Sequence, residues 1–221
     1  MKTSVLVNYI IDNIEGGYYH PDMKSKLKNG DRMGQSGETM FGIDRVYGGN
    51  LNTSENGKAF WNIVDMYFGN HHADTSYYND KADGNKKTPA EVGSRLRNLV
   101  TSLMTEQLQK NAEMLSVGAR KIVFDNPALT LQFLYACWNG SGNFKLFADV
   151  LNAAYANGEK SALAFWDLVQ AARRKKGGLF ADGADKLERI RQKLVNDGSS
   201  KKWLIPSVIG AVALFFILKK K

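Results

Sequence analysis

The stretch IEGGY, residues 14–18, places a carboxylate between an apolar segment and two glycines. Apolar residues recur every three or four positions through residues 3–15, which predicts an amphipathic helix. Glycine tolerates the left-handed backbone conformation that often ends a helix, so Gly16 and Gly17 are predicted to terminate it. The pattern therefore predicts that Glu15 lies at a helix end, against apolar neighbours.

A second stretch, SGETMFGID at residues 36–44, lies in a polar region rich in Gly, Asn and Asp. Residues 18–55 are predicted to form loops with one short hairpin. A connection of this length inside a compact domain is more often functional than idle. The region is therefore a candidate partner for Glu15.

Helical patterns occupy most of the remaining chain, and several carry start or stop signals. TPAE at 88–91 combines a cap, a first-turn proline and the glutamate of a capping box, and Asn-Pro at 126–127 repeats the start signal. Glycines at 140, 142, 158, 177 and 178 mark turns. The predicted helices are residues 56–68, 88–114, 126–137, 144–155, 161–174 and 182–195. The chain is therefore predicted to be mainly α.

The basic charge is concentrated in the C-terminal quarter. From Arg173 onward there are 13 Lys/Arg and 4 Asp/Glu, a net charge of +9, whereas residues 1–172 have a net charge of −1. A nucleic-acid-binding globule would carry a basic face of its own, so that class is disfavoured. A segment near anionic lipid fits this distribution.

The C-terminus reads as a membrane anchor. Residues 203–218 carry no charge, begin with an interfacial Trp203, and are flanked by lysines at 201–202 and in the basic tail 219–221. Sixteen residues reach about 24 Å, and snorkelling lysines close the gap to a hydrocarbon core of about 30 Å. The alternative is a C-terminal core helix. The predicted organisation is a folded domain at 1–195, a linker at 196–202 and a transmembrane helix at 203–218.

The predicted environment of Glu15, against apolar residues at a helix end, is suited to a general acid. Cleavage of a glycosidic bond needs a carboxylic acid that is still protonated near neutral pH, and burial raises the pKa of a carboxyl group. The negative end of a helix acts in the same direction. The alternative is a surface glutamate at a helix end.

A family resemblance favours the catalytic reading. EGGY at 15–18 and GETMFGI at 37–43 resemble motifs of the glycosyl hydrolase 108-like phage and bacterial lysozymes. The order of Glu, then Asp, then Thr before a Gly-Ile pair is similar to that in the T-even phage lysozymes. WNGSG at 138–142 is similar to a late Asn-x-Gly turn of that family. The resemblance covers residues 5–160. It implies a mainly helical lysozyme-like domain with at most a small β-hairpin and a general acid between two lobes.

The resemblance also implies the catalytic roles. Glu15 would be the general acid, and Thr39 would orient a water or substrate group. The family places an aspartate just before the second motif, where this chain has Gln35, so Asp31 and Asp22 are the nearest substitutes and Asp44 follows the motif. An inverting hydrolase needs a second carboxylate roughly 6.5–9.5 Å from the acid, whereas a lytic transglycosylase resembles this arrangement but uses one glutamate. Both mechanisms stay open.

Candidate substrate contacts surround these residues. Gln35 lies just before the second motif and is a candidate substrate contact. The aromatic rings of Tyr18, Tyr19, Tyr135 and Trp138 are suited to stacking on sugars, although core packing is the alternative for Tyr135 and Trp138. Asn139 is suited either to bonding an N-acetyl group or to capping a turn.

Other constellations are weaker. His71, His72 and Asp74 give too few converging ligands for zinc, so no metal and no cofactor are expected. Cys137 on an apolar helix face reads as a buried, inert thiol. The four basic residues at 173–176 are predicted to form a solvated helix end, where positive charge is favourable. The alternative, which we favour less, is contact with lipid or with an anionic envelope polymer.

The sequence as a whole predicts a membrane-anchored, phage-type peptidoglycan glycosidase. Its partners would be glycan strands and, through residues 203–218, a lipid bilayer. The competing hypothesis is a non-catalytic glycan-binding or structural virion protein on the same scaffold.

Overall fold

The computed structural model describes residues 2–15, 17–20, 38–46, 48–69 and 89–196, and 77% of them are helical. The mainly α prediction is therefore confirmed for this part of the chain. The helices are α1 Thr3–Asn13, α2 Asn50–Thr53, α3 Glu55–Phe68, α4 Ala90–Ala112, α5 Val117–Asp125, α6 Pro127–Trp138, α7 Ser141–Ala156, α8 Ala162–Lys176 and α9 Leu179–Asn196. The strands are β1 Tyr18–Tyr19, β2 Thr39–Met40 and β3 Ile43–Asp44.

The range predicted as one catalytic domain divides into two compact units. The first is Met1–Met114 with Phe133–Phe144, and it contains α1 to α4 and the sheet. The second is Leu115–Gln132 with Lys145–Lys221, and it contains α5, α8, α9 and most of α7. Helices α6 and α7 each contribute residues to both units.

The first unit is built on α1, α3 and α4. Helix α4 packs against both α1 and α3, and α2 packs against α3. The inward face of α1 is fully apolar, as its periodicity predicted; the residues are Leu6, Val7, Ile10 and Ile11. Helix α3 begins at a side-chain cap, where the Ser54 hydroxyl accepts a hydrogen bond from the Gly57 amide at 3.1 Å. These helices form the frame on which the sheet rests.

The second unit contains an antiparallel pair formed by α8 and α9. Gly177 and Gly178 join the two helices with φ values of +72° and +54°, so the predicted glycine stop is confirmed. The Gln170 side-chain amide donates to the Ala184 carbonyl at 2.9 Å, and the Trp166 indole donates to Glu188 at 3.2 Å. These bonds tie the two helices together along their length.

The predicted start of α6 is confirmed, whereas that of α4 is shifted. The Asn126 side chain accepts from the Leu129 amide at 3.1 Å at the start of α6. Pro89, predicted at the first helical position of α4, is instead its N-cap residue. The Gly-rich turn predicted at 138–142 is confined to residues 139–140, because Ser141 and Gly142 begin α7.

Two parts of the fold were not predicted. Helix α5 lies in a stretch for which no helix was predicted, and α9 begins three residues earlier than predicted, at Leu179. The predicted hairpin is confirmed as β2 and β3, but β1 adds a third antiparallel strand to it. The sheet is therefore larger than the single hairpin expected.

In the part of the chain that the structure describes, no helix is both long and apolar enough to cross a bilayer. Residues 203–218, where the transmembrane helix is predicted, lie outside the described residues.

Replacement of Gly57 by alanine is expected to destabilise the first unit. A Cβ at this position would overlap the backbone carbonyl of Leu51 in α2, and a backbone atom has little freedom to move away. The free energy of unfolding should fall by about 2 kcal/mol, as in other overpacked sites. Urea denaturation followed by circular dichroism measures this. Asn62→Ala, an exposed change on the same helix, is the control and should have little effect.

Candidate functional site

Glu15 lies directly after the end of α1, as the sequence predicted. The Ile10 carbonyl accepts hydrogen bonds from the amides of Ile14 and Glu15, at 2.9 and 3.0 Å. The Asn13 side chain donates to the Tyr9 carbonyl at 2.9 Å. These hydrogen bonds satisfy the carbonyls of the last turn of α1 and fix the backbone that carries Glu15. The Glu15 side chain is half-buried.

The hairpin of β2 and β3 has a two-residue turn, Phe41-Gly42. Met40 pairs with Ile43, and Thr39 pairs with Asp44. Phe41 and Gly42 both have positive φ, +51° and +72°, which is the pattern of a type I′ turn. A left-handed conformation at a phenylalanine costs on the order of 1 kcal/mol or more, and such strain is found most often at functional sites.

The turn lies against the candidate acid. A Cβ on Gly42 would overlap the carboxylate of Glu15 and lie 2.8 Å from its Cγ. The Glu15 side chain therefore occupies the space that any other residue at position 42 would fill. This contact brings together the two stretches that the sequence singled out.

The faces of the small sheet differ in character. Tyr18, Met40 and Ile43 are cross-strand neighbours and are buried. On the other face, Tyr19 is buried, whereas Thr39 and Asp44 are half-buried. Asp44 Oδ1 accepts a hydrogen bond from the Val46 amide at 2.8 Å. Thr39 and Asp44 are therefore partly accessible residues of this hairpin.

Glu38, just before β2, has both carboxylate oxygens engaged. Its Oε1 accepts from the Tyr18 hydroxyl at 2.8 Å, and its Oε2 accepts from Arg45 Nη1 at 2.5 Å. Arg45 also forms a two-pronged ion pair with Asp65 of α3, with both bonds at 2.6 Å. We call Tyr18, Glu38, Arg45 and Asp65 the Arg45 network. It fastens all three strands to α3.

Further side chains support the Arg45 network. The Arg45 guanidinium lies 4.8 Å from the centre of the Trp61 ring. The Trp61 indole donates to Asn52 Oδ1 at 2.7 Å, and Asn52 Nδ2 donates to the carbonyls of Asp44 and Arg45 at 2.9 and 2.6 Å. The Tyr18 ring stacks on Phe68 with centroids 4.4 Å apart.

The electrostatics of the Arg45 network favour a fixed protonation state. The pKa of Arg45 is raised, chiefly by its hydrogen bonds to Asp65, although burial opposes this. The pKa of the Tyr18 hydroxyl is raised well above its usual range, first by burial and then by its hydrogen bond to Glu38. Tyr18 therefore remains a donor and Arg45 a cation. Glu38, with both oxygens engaged, is suited to a structural role and not to that of a catalytic base.

Tyr18, predicted to stack on a sugar, is fully buried between Phe68 and Glu38. The structure gives it a supporting position behind the hairpin, with no open ring face. Tyr135 and Trp138 on α6 are likewise buried, with Trp138 only 7% exposed. Their placement fits the core-packing alternative.

Asn139 is exposed, and its side-chain amide donates to the Tyr135 carbonyl at 2.9 Å. It therefore closes the end of α6, which fits the predicted turn-capping role. The second-carboxylate candidates Asp31 and Asp22, and Gln35, lie outside the described residues.

The thiol of Cys137 is buried, as predicted, and accepts a hydrogen bond from Asn111 Nδ2 at 3.4 Å. Burial raises its pKa to about 12, which makes it a poor nucleophile. Within the described ranges no group of three or more His, Cys, Asp or Glu could hold a metal ion. His71, His72 and Asp74 lie outside those ranges.

The basic run at 173–176 was predicted to be solvated, and this is wrong for its first residue. Arg173 is fully buried, whereas Arg174, Lys175 and Lys176 are exposed. Its position on the inner side of α8, in line with Phe165 and Val169, explains the difference.

The Arg45 network was not predicted from the sequence, although one signal for it was present. A two-residue turn at 41–42 sets residue 38 opposite residue 45, so a glutamate faces an arginine directly across the hairpin. Opposite charges at such positions attract each other. The third partner, Asp65, is 20 residues further along and carries no local signal.

Comparisons with protein-family models, with curated proteins and with solved structures found no match for this chain.

The raised pKa of Tyr18 predicts a loss of stability at high pH. An unfolded tyrosine ionises near pH 10, whereas folded Tyr18 holds its proton to higher pH, so the folded state binds more protons above about pH 10. Stability from Tyr18 is then fully present below pH 10 and is lost as pH rises further. Urea denaturation between pH 8 and 12 should show a steeper loss in the wild type than in Tyr18→Phe. Parallel curves for the two proteins would contradict this.

Proposed function

We propose that the chain is a peptidoglycan-degrading glycosidase with Glu15 as its general acid. The observation that carries this proposal is the packing of the Glu15 carboxylate against Gly42 in a strained type I′ turn. Two stretches that resemble lysozyme motifs, separated by about twenty residues in sequence, supply the two sides of that contact. An acid held against rigid backbone has a fixed position relative to a bound substrate.

The reaction assigns distinct tasks to the residues of the site. Glu15 donates a proton to the glycosidic oxygen as the bond to the sugar breaks. Thr39, half-buried on the adjoining strand, orients a water molecule or a substrate hydroxyl. Among the described carboxylates Asp44 shares a sheet face with Thr39, and Asp31 and Asp22 remain the other candidates for a base.

Hydrolysis and transglycosylation differ in the attacking group. In a hydrolysis, water attacks and the product has a reducing end. In a lytic transglycosylation, a hydroxyl of the sugar attacks and the product is an anhydro sugar. The proposal covers both, because each needs one proton-donating glutamate at the position of Glu15.

Glu15→Gln in the full-length protein is expected to abolish the clearing of cell-wall suspensions. An amide cannot donate the proton, and loss of a general acid reduces rates by about 10²–10⁴-fold. Turbidity measures the rate, and mass spectrometry of the released fragments separates reducing from anhydro ends. The matched control is Glu113→Gln, an exposed glutamate at the end of α4, which should keep wild-type activity.

The outcomes separate the competing classes. Equal clearing by wild type and Glu15→Gln would remove Glu15 from the chemistry. Binding to peptidoglycan without clearing by the wild type would favour a non-catalytic glycan-binding or structural virion protein.

We further propose that residues 203–218 anchor the enzyme in a bilayer, such as the internal membrane of a virion or the host inner membrane. There it would act in wall penetration at infection or in lysis. Full-length protein should float with liposomes in a density gradient, and protein ending at residue 198 should not, because it lacks the uncharged segment. Identical flotation of the two proteins would overturn the anchor.

A further inference from the structure

Arg97 of α4 contacts both sides of the candidate site. Its Nη2 donates to Asp12 Oδ1 at 2.7 Å, and its Nη1 donates to Asn8 Oδ1 at 3.2 Å. Asn8 and Asp12 are four residues apart on α1 and therefore lie one above the other on the same face. A planar guanidinium with several fixed donors can span two such acceptors, which an ammonium group does less well.

The same guanidinium also lies over an aromatic ring, 5.4 Å from the centre of Phe41. Phe41 is 1% exposed and holds the left-handed conformation of the hairpin turn. The Arg97 side chain is itself only 20% exposed, so these contacts are largely shielded from water. One side chain therefore joins the end of α1 to the strained turn.

The anchor points of Arg97 are close in sequence to the groups that touch in the site. Asp12 is three residues before Glu15, and Phe41 immediately precedes Gly42. A shift of α1 relative to the turn would separate the Glu15 carboxylate from Gly42, and Arg97 opposes such a shift. Displacement of a catalytic group by about 1 Å can cost about a hundredfold in rate.

We propose that Arg97 is a positioning residue, which sets the separation of α1 and the Phe41-Gly42 turn and thereby the place of the Glu15 carboxylate. In this role it does not touch the reacting bond, and it acts through Asn8, Asp12 and Phe41. The catalytic part of this inference rests on the proposed function, whereas the structural part does not.

The test compares Arg97→Lys and Arg97→Gln with the full-length wild type by two independent readouts. The first is hydrogen exchange at the amides of Glu15 and Phe41, which donate to the carbonyls of Ile10 and Gly17. Both amides should exchange at least ~10-fold faster in Arg97→Gln, while amides of α8 and α9 keep wild-type rates. Arg97→Lys keeps the positive charge but lacks the planar, multi-donor guanidinium, so its amides should retain only part of the wild-type protection.

The second readout is kinetic. Loss of positioning should lower kcat on peptidoglycan at least ~10-fold with KM nearly unchanged, because the acid moves while the substrate surface stays in place. Arg95→Lys and Arg95→Gln are matched controls, since Arg95 is exposed on the same helix and lines a groove with α3. Both should behave as wild type.

The two readouts distinguish the possible failures. If the wild type does not cleave peptidoglycan, the proposed function fails, and exchange at Glu15 and Phe41 still decides the role of Arg97. Wild-type exchange at both amides in the two Arg97 variants would overturn the inference. Equally faster exchange throughout the protein, α8 and α9 included, would reduce Arg97 to a general stabilising residue and also overturn it.

Discussion

The Glu15 carboxylate lies where it does because residue 42 carries no Cβ. Position 42 must satisfy two conditions, a left-handed φ of +72° and empty space on the side that faces Glu15. Glycine alone meets both without strain. A type I′ turn also matches the twist of the strands that it joins, so the geometry that pairs β2 with β3 also leaves room for the Glu15 side chain. The hairpin and the site are therefore one structure.

Strands of two residues provide too few backbone hydrogen bonds to hold such a turn in place. The Arg45 network supplies the missing constraint, because one guanidinium bonds to Glu38 beside the hairpin and to Asp65 on α3. A two-pronged ion pair fixes the orientation of the guanidinium as well as its distance from the carboxylate. Since part of this network is shielded, removal of one partner would leave an uncompensated charge, which costs more than the pair itself contributes. Ion pairs, as well as apolar burial, therefore hold the sheet in place.

The sequence predicted those features whose partners are close along the chain. The cap at Asn126 and the stop at Gly177-Gly178 act within a few residues, and both were found. Helix α5 was missed because its nine residues are few for a periodicity and its Ser116 cap forms no side-chain bond. The contact of Gly42 with Glu15 spans 27 positions, so its steric reason is visible only in three dimensions. The burial of Tyr18 depends in the same way on Phe68, fifty residues further on.

The arrangement of positive charge bears on how Glu15 could act as an acid. A carboxyl group paired with an arginine has a lowered pKa and gives up its proton too early to serve as a general acid near neutral pH. Arg45 and Arg97, which bind the hairpin and α1, form their ion pairs with Glu38, Asp65 and Asp12. Both cations therefore order the surroundings of Glu15 while their charges are balanced by other carboxylates.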